Sequence, residues 1–263
     1  MQKAIWLFLI LFILTPNLIH AQILKVDKGY LASDSSDYFT GNLNVAFALN
    51  DRGSTAEDAI VYLGIQNQTD LVYIAEKSAS VLITGLNYFK IGEGPFIFNG
   101  YTHFREVFRR KEKWSPEVYI QAQFDESRDL QLRWLYGGGI RWNATHPHNT
   151  LYFGVGLFNE QEKWTNGDLT IEKNLIKLNS YIGCEIDIVK RVTLTGIGYY
   201  QTGYDDVITG FRDRIFASAQ LKNDITDRIR MKIIFNYEFD NIPIIPLNRH
   251  VYESYLGFEY IFK

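Results

Sequence analysis

The sequence predicts an all-β chain, an antiparallel up-and-down transmembrane β-barrel of about twelve strands. Three observations predict it. Long stretches alternate apolar and polar residues with a period of two, the chain opens on an export signal, and the last strand ends in spaced aromatics.

The N-terminus comes first. Lys3 is followed by the apolar block Ala4 to Leu14, which Pro16 breaks, and Ala21 is a small residue placed for cleavage. That is the layout of a secretory signal peptide, and the block is too short to span a bilayer as a helix. Ile19 is bulkier than the usual residue at its position before the cleavage point. No cysteine stands nearby to anchor a lipoprotein. The chain then divides into a signal peptide over 1–21, a short periplasmic segment over 22–39 and a barrel over 40–263. The destination this implies is a Gram-negative outer membrane.

Composition narrows the function classes. Without Lys3 the mature chain carries 26 basic and 30 acidic residues, so it has no nucleic-acid footprint. Cys184 stands alone, which precludes an intramolecular disulfide. Tyr (17) and Phe (18) are abundant and Pro (6) is scarce, as suits long strands with aromatic girdles.

The alternation is sustained over membrane-crossing lengths, for which a tilted strand needs about 9–11 residues. In NLNVAFALN, Leu43, Val45, Phe47 and Leu49 share one face. In PEVYIQAQF, Val118, Ile120, Ala122 and Phe124 oppose Tyr119, Gln121 and Gln123. Strands are expected at 40–50, 58–76, 80–90, 96–109, 116–125, 129–143, 150–160, 174–189, 191–203, 211–223, 227–239 and 250–262. Short connections near Ser78, Val189–Arg191 and Asn223–Asp227 belong on the periplasmic side with both termini. Glu160 to Lys173 and Asn241 to Arg249 read as the long outward loops. The first of these could meet ions or lipopolysaccharide.

The phase of the alternation selects the residues expected to face the lumen. They are His103, Arg105, Gln121, Gln123, Arg133, Arg141, Lys177, Glu185, Asp187, Arg230, Lys232 and Glu238. Fixed charge of this kind either selects solutes in a narrow channel or fills the lumen with ion pairs. A surface-binding barrel working through its outward loops is a further reading. A hydrolase would need a nucleophile beside His103 and Asn99, and the chain holds no Gly-x-Ser-x-Gly elbow, so no catalytic residue is assigned. His146 and His148 sit in a turn-rich connection and Gly137–Gly139 lies mid-strand, so no metal or cofactor site is expected. Trp114, Trp142 and Trp164 fall near strand ends, where interfacial aromatics belong.

In the last strand, Tyr255, Gly257, Tyr260 and Phe262 resemble the C-terminal signal read by barrel-assembly machinery, with Lys263 as an added residue. Outer-membrane lipid and that machinery are therefore the expected partners; oligomeric state is left open. The segments GYTHFREVF (100–108) and EVYIQAQFDESRDLQLRWLYGGGIRW (117–142) resemble the uncharacterised family of salt-induced outer membrane proteins. That resemblance implies an outer-membrane barrel and carries no activity or catalytic residues with it.

Overall fold

The computed structural model describes residues 36–52, 60–91, 94–146 and 149–262. The expected signal peptide, and all but the end of the periplasmic segment, lie outside the described residues. Twelve antiparallel strands close in sequence order into a barrel, with β12 returning to β1. They are β1 (Tyr38–Arg52), β2 (Ile60–Ile74), β3 (Ser78–Ile91), β4 (Gly94–Phe108), β5 (Trp114–Asp125) and β6 (Leu130–His146). The second half comprises β7 (Asn149–Asn166), β8 (Leu169–Val189), β9 (Val192–Asp205), β10 (Gly210–Asp224), β11 (Ile229–Asp240) and β12 (His250–Phe262). The stretch expected at 58–76 is one strand, β2. No helix of the described residues is long and apolar enough to cross a membrane.

Burial follows the pleat. Along β7 the residues Tyr152, Gly154, Phe158, Glu160, Glu162 and Trp164 are buried, while Leu151, Phe153, Val155 and Leu157 between them are exposed. Apolar side chains outside and charged ones inside are the reverse of a soluble protein. The arrangement is stable only with lipid around the wall and is that of a transmembrane barrel. Aromatics mark both rims of the outer surface. Phe39 packs on Tyr73 and Trp114 pairs with Trp142 near the short turns, while Tyr204 packs on Phe211 toward the opposite end.

Two expectations are corrected. Residues 160–173 do not form a loop: β7 and β8 pair without interruption from Asn149↔Ile186 to Asn166↔Leu169. Their turn is made at Gly167–Asp168, where Gly167 takes a positive φ that L side chains resist. The hairpin rises past the membrane, where polar residues on both faces hide the alternation. Trp164, expected at the interface, shares the inward phase of Glu160 and Glu162 and is buried.

The wall is not uniform. β1 pairs with β2 along its whole length, but with β12 only through Gly41↔Phe262, Asn42↔Ile261 and Leu43↔Tyr260. The terminal strand thus closes the barrel over a short seam that includes Tyr260 and Phe262.

Candidate functional site: the lumen and its lid

The inner face is organised by carboxylates that draw cations from several strands. Glu160 on β7 bonds Arg133 of β6 and Lys177 of β8, and accepts from Arg214 of β10 at 3.0 Å. Glu162, one pleat on, meets the same Arg133 at 3.1 Å and Arg214 at 3.4 Å. Arg214 also donates to Asp240 of β11 at 3.1 Å. β7 and β10 are three strands apart, so these contacts are chords across the lumen. Arg133, Lys177 and Glu160 are each 2% exposed or less.

A second centre forms on Glu117 of β5, toward the short-turn end. Arg141 donates to it at 2.5 Å, the Tyr181 hydroxyl donates at 2.6 Å from β8, and Arg105 stands at 3.6 Å. Arg141 also donates to the Tyr181 oxygen at 2.9 Å, so one tyrosine bridges the cation and the carboxylate. Tyr181 reaches this point because glycines clear the wall. A Cβ on Gly154 would overlap the Tyr181 ring, and one on Gly183 would overlap Tyr152. On the far side Tyr181 and Tyr152 pack with Ile197, Tyr199 and Phe216.

The remaining expected lumen residues are distributed around these centres. His103 Nδ1 lies 3.0 Å from Gln121 Oε1, and Gln121 donates to Gln123 at 2.6 Å. All three are buried. Glu238 is buried and faces Arg128 at 3.7 Å. Glu185 stands 4.0 Å from Lys222, Asp187 accepts from Thr193, and Arg230 donates to Asp224 at 2.5 Å. Glu185, Arg230 and Lys232 are partly exposed and Asp187 is exposed, so this group sits in the more open short-turn end. The pair weighed for hydrolysis separates: His103 turns to Gln121, whereas Asn99 accepts from Asn87 at 2.8 Å. His148 lies outside the described residues. Tyr181 shares the inward phase expected of Lys177; Glu117, Glu160, Glu162 and Arg214 were not singled out in the sequence, although each stands on the inward phase of its strand.

A lid reaches over the β6–β8 side of the opposite mouth. The connection 241–249, expected to project outward, folds back over the barrel because its centre is apolar. Ile245 is buried against Leu130 and Trp164, with Ile171, Ile244 and Leu247 beside them. Pro243 and Pro246 flank this contact and lower the entropy lost in ordering it. Asn241 fixes the base of the lid: it donates to Phe211 O and Asp213 Oδ2, both at 3.0 Å, while its own Oδ1 accepts from Asp213 N at 2.9 Å. Arg212 donates to the Ile242 carbonyl. Beneath the lid a cavity lined by Gln123, Arg133, Glu162 and Arg214 gives a water-sized sphere about 20 Å³ in which to move its centre. That is room for little more than one water.

No family model and no curated protein matches the chain. Among solved structures, the chain is similar to the NanC porin, at 11% identity and a TM-score of 0.49, over 86% of this chain and 99% of that one. It is also similar to a bacterial polysaccharide outer membrane secretin, at 9% and 0.44, over 88% and 100% of the two chains. A third likeness, to the TodX monoaromatic hydrocarbon channel, stands at 9% and 0.42, over 86% and 79%.

Proposed function

We propose that this protein is an exported outer-membrane barrel that works as a narrow channel for small solutes or ions, closed in the form described here by its own side chains. The observation that carries the reading is the set of chords from Arg214 to Glu160 and Glu162, beneath a lid seated by Ile245. A barrel needing only rigidity would gain nothing from buried ion pairs over apolar filling, because desolvation offsets most of their attraction. Charged side chains that water can solvate do suit a constriction that hydrates when it opens. The export signal and the C-terminal residues Tyr255, Gly257, Tyr260 and Phe262 support the location and a route through barrel-assembly machinery. The resemblance to salt-induced outer membrane proteins belongs to the same reading.

Planar-bilayer conductance of the refolded chain tests it, once heat-modifiable gel migration shows that the barrel has formed. The native chain should be closed most of the time, with brief steps. Ile245→Asp, which unseats the lid, and Glu162→Gln, which frees one chord, should each lengthen the open state. If both variants fold and remain as silent as the native chain, the channel reading fails. The alternative of a structural or surface-binding barrel with a permanently filled lumen would then stand.

A further inference from the structure

The two rims differ in charge. In the described turns at the end holding the C-terminus and the start of β1 (75–77, 109–113, 190–191 and 225–228) there are eight basic and three acidic side chains. At the opposite rim (126–129, 167–168, 206–209 and 241–249) there are two basic and four acidic. The excess concentrates in the β4–β5 turn, Arg109-Arg110-Lys111-Glu112-Lys113.

That turn is held in place by its own bonds. Arg110 is buried, donating from its backbone to Lys77 O at 3.1 Å and from Nε to Ala75 O at 2.7 Å, which staples the turn to the one beside it. Ser115 donates to Arg109 O at 3.1 Å, and Asn143 donates to Glu112 O at 3.1 Å from β6. With its frame fixed, the turn leaves Arg109, Lys111 and Lys113 exposed, the Arg109 guanidinium standing 3.8 Å from Glu112. Directly alongside are Trp114, 52% exposed, and its cross-strand partner Trp142, with the Lys113 ammonium 5.9 Å from the Trp142 ring. An indole at the hydrocarbon boundary with cations one turn beyond it is placed to meet a lipid glycerol and phosphate together.

We infer that this basic–aromatic collar binds the headgroups of anionic phospholipid in the leaflet around the short-turn rim. The inference rests on the membrane-barrel reading and names the lipid class and the rim that takes it. A zwitterionic headgroup offers its phosphate with a compensating ammonium; a phosphatidylglycerol or cardiolipin headgroup does not.

Native mass spectrometry of the full-length folded protein tests this, with phosphatidylethanolamine and phosphatidylglycerol added in equal amounts. Each basic residue near an anionic surface favours binding by about fivefold at low salt. The native chain should retain phosphatidylglycerol in preference, and the triple variant R109Q/K111Q/K113Q should lose most of that preference, by roughly 10- to 100-fold. A control, K163Q, removes a cation near the opposite rim and should change nothing. Heat-modifiable migration of every variant separates loss of the barrel from loss of the collar. Equal retention of both lipids by the native chain overturns the inference, as does a triple variant as selective as the native chain. Trp114→Ala and Trp142→Ala, which keep the charges, should reduce retention of both lipids alike.

Discussion

Glu160 accepts from Arg133, Lys177 and Arg214 at once, so its removal leaves three desolvated cations to share chiefly Glu162 and Asp240. Breaking one partner out of a buried ion pair costs about 3–5 kcal/mol, chiefly because the other charge stays buried without compensation. Glu160→Ala should therefore lower the barrel's urea midpoint strongly, read as the loss of the fast-migrating band. The exposed pair Lys163–Glu172 at 3.5 Å is the contrast: Glu172→Ala should leave the midpoint within about 1 kcal/mol of the native value. Gly154 offers a third residue-scale test. A valine there forces the Tyr181 ring off the wall and away from Glu117, so Gly154→Val should destabilise far more than Val155→Ala, which changes only the exposed lipid-facing side. The inward phase of Arg133 and Lys177 was legible in the sequence, whereas Glu160 and Glu162 fell at the expected outward loop. Which cation meets which carboxylate was not legible, because Arg214 and Glu160 are brought together only by closure of the barrel, 54 residues apart in the chain.

At the scale of elements, alternation located all twelve strands because lipid on one side and a polar lumen on the other enforce the period of two. It stopped working where lipid stops. Above the membrane the outward face of β7 and β8 is polar (Gln161, Lys163, Glu172, Asn174) like the inward one, so residues 160–173 carry no apolar–polar alternation to distinguish hairpin from loop. The lid was read as an outward loop for a related reason: its prolines signal a turn, and nothing local says that Ile244 and Ile245 will find Leu130 and Trp164, which belong to β6 and β7. Pairing strength between elements is equally non-local, and it yields a prediction. Backbone groups of β1 beyond Leu43 that face β12 are outside the seam of three pairs. Hydrogen exchange followed by mass spectrometry should show segments 44–52 and 250–259 exchanging before the centre of β7, which is paired on both sides. Equal protection in all three would mean that the seam zips along its full length in the membrane.

For the whole molecule, the lumen has two layers with different consequences for passage. The Glu160–Glu162 layer draws cations from β6, β8 and β10 and carries a lid above it. The Glu117 layer gathers two arginines around one carboxylate and is walled by tyrosines, so it carries a formal excess of one positive charge. On the channel reading, an ion crossing the barrel meets the first layer, where Glu160, Glu162 and Asp240 match Arg133, Lys177 and Arg214, as a steric barrier and the Glu117 layer as an electrostatic one. Opening the lid should raise conductance without setting its sign, while Arg105 and Arg141 should set the sign. In a background that carries Ile245→Asp, the reversal potential under a salt gradient is expected to indicate anion preference. Arg105→Gln should shift that preference toward cations, because Arg141 is then matched one-to-one by Glu117. An unchanged reversal potential in an open, folded Arg105→Gln barrel would place selectivity outside this layer. The group around Glu185, Arg230 and the buried Lys222 at the short-turn end would then be the next place to look.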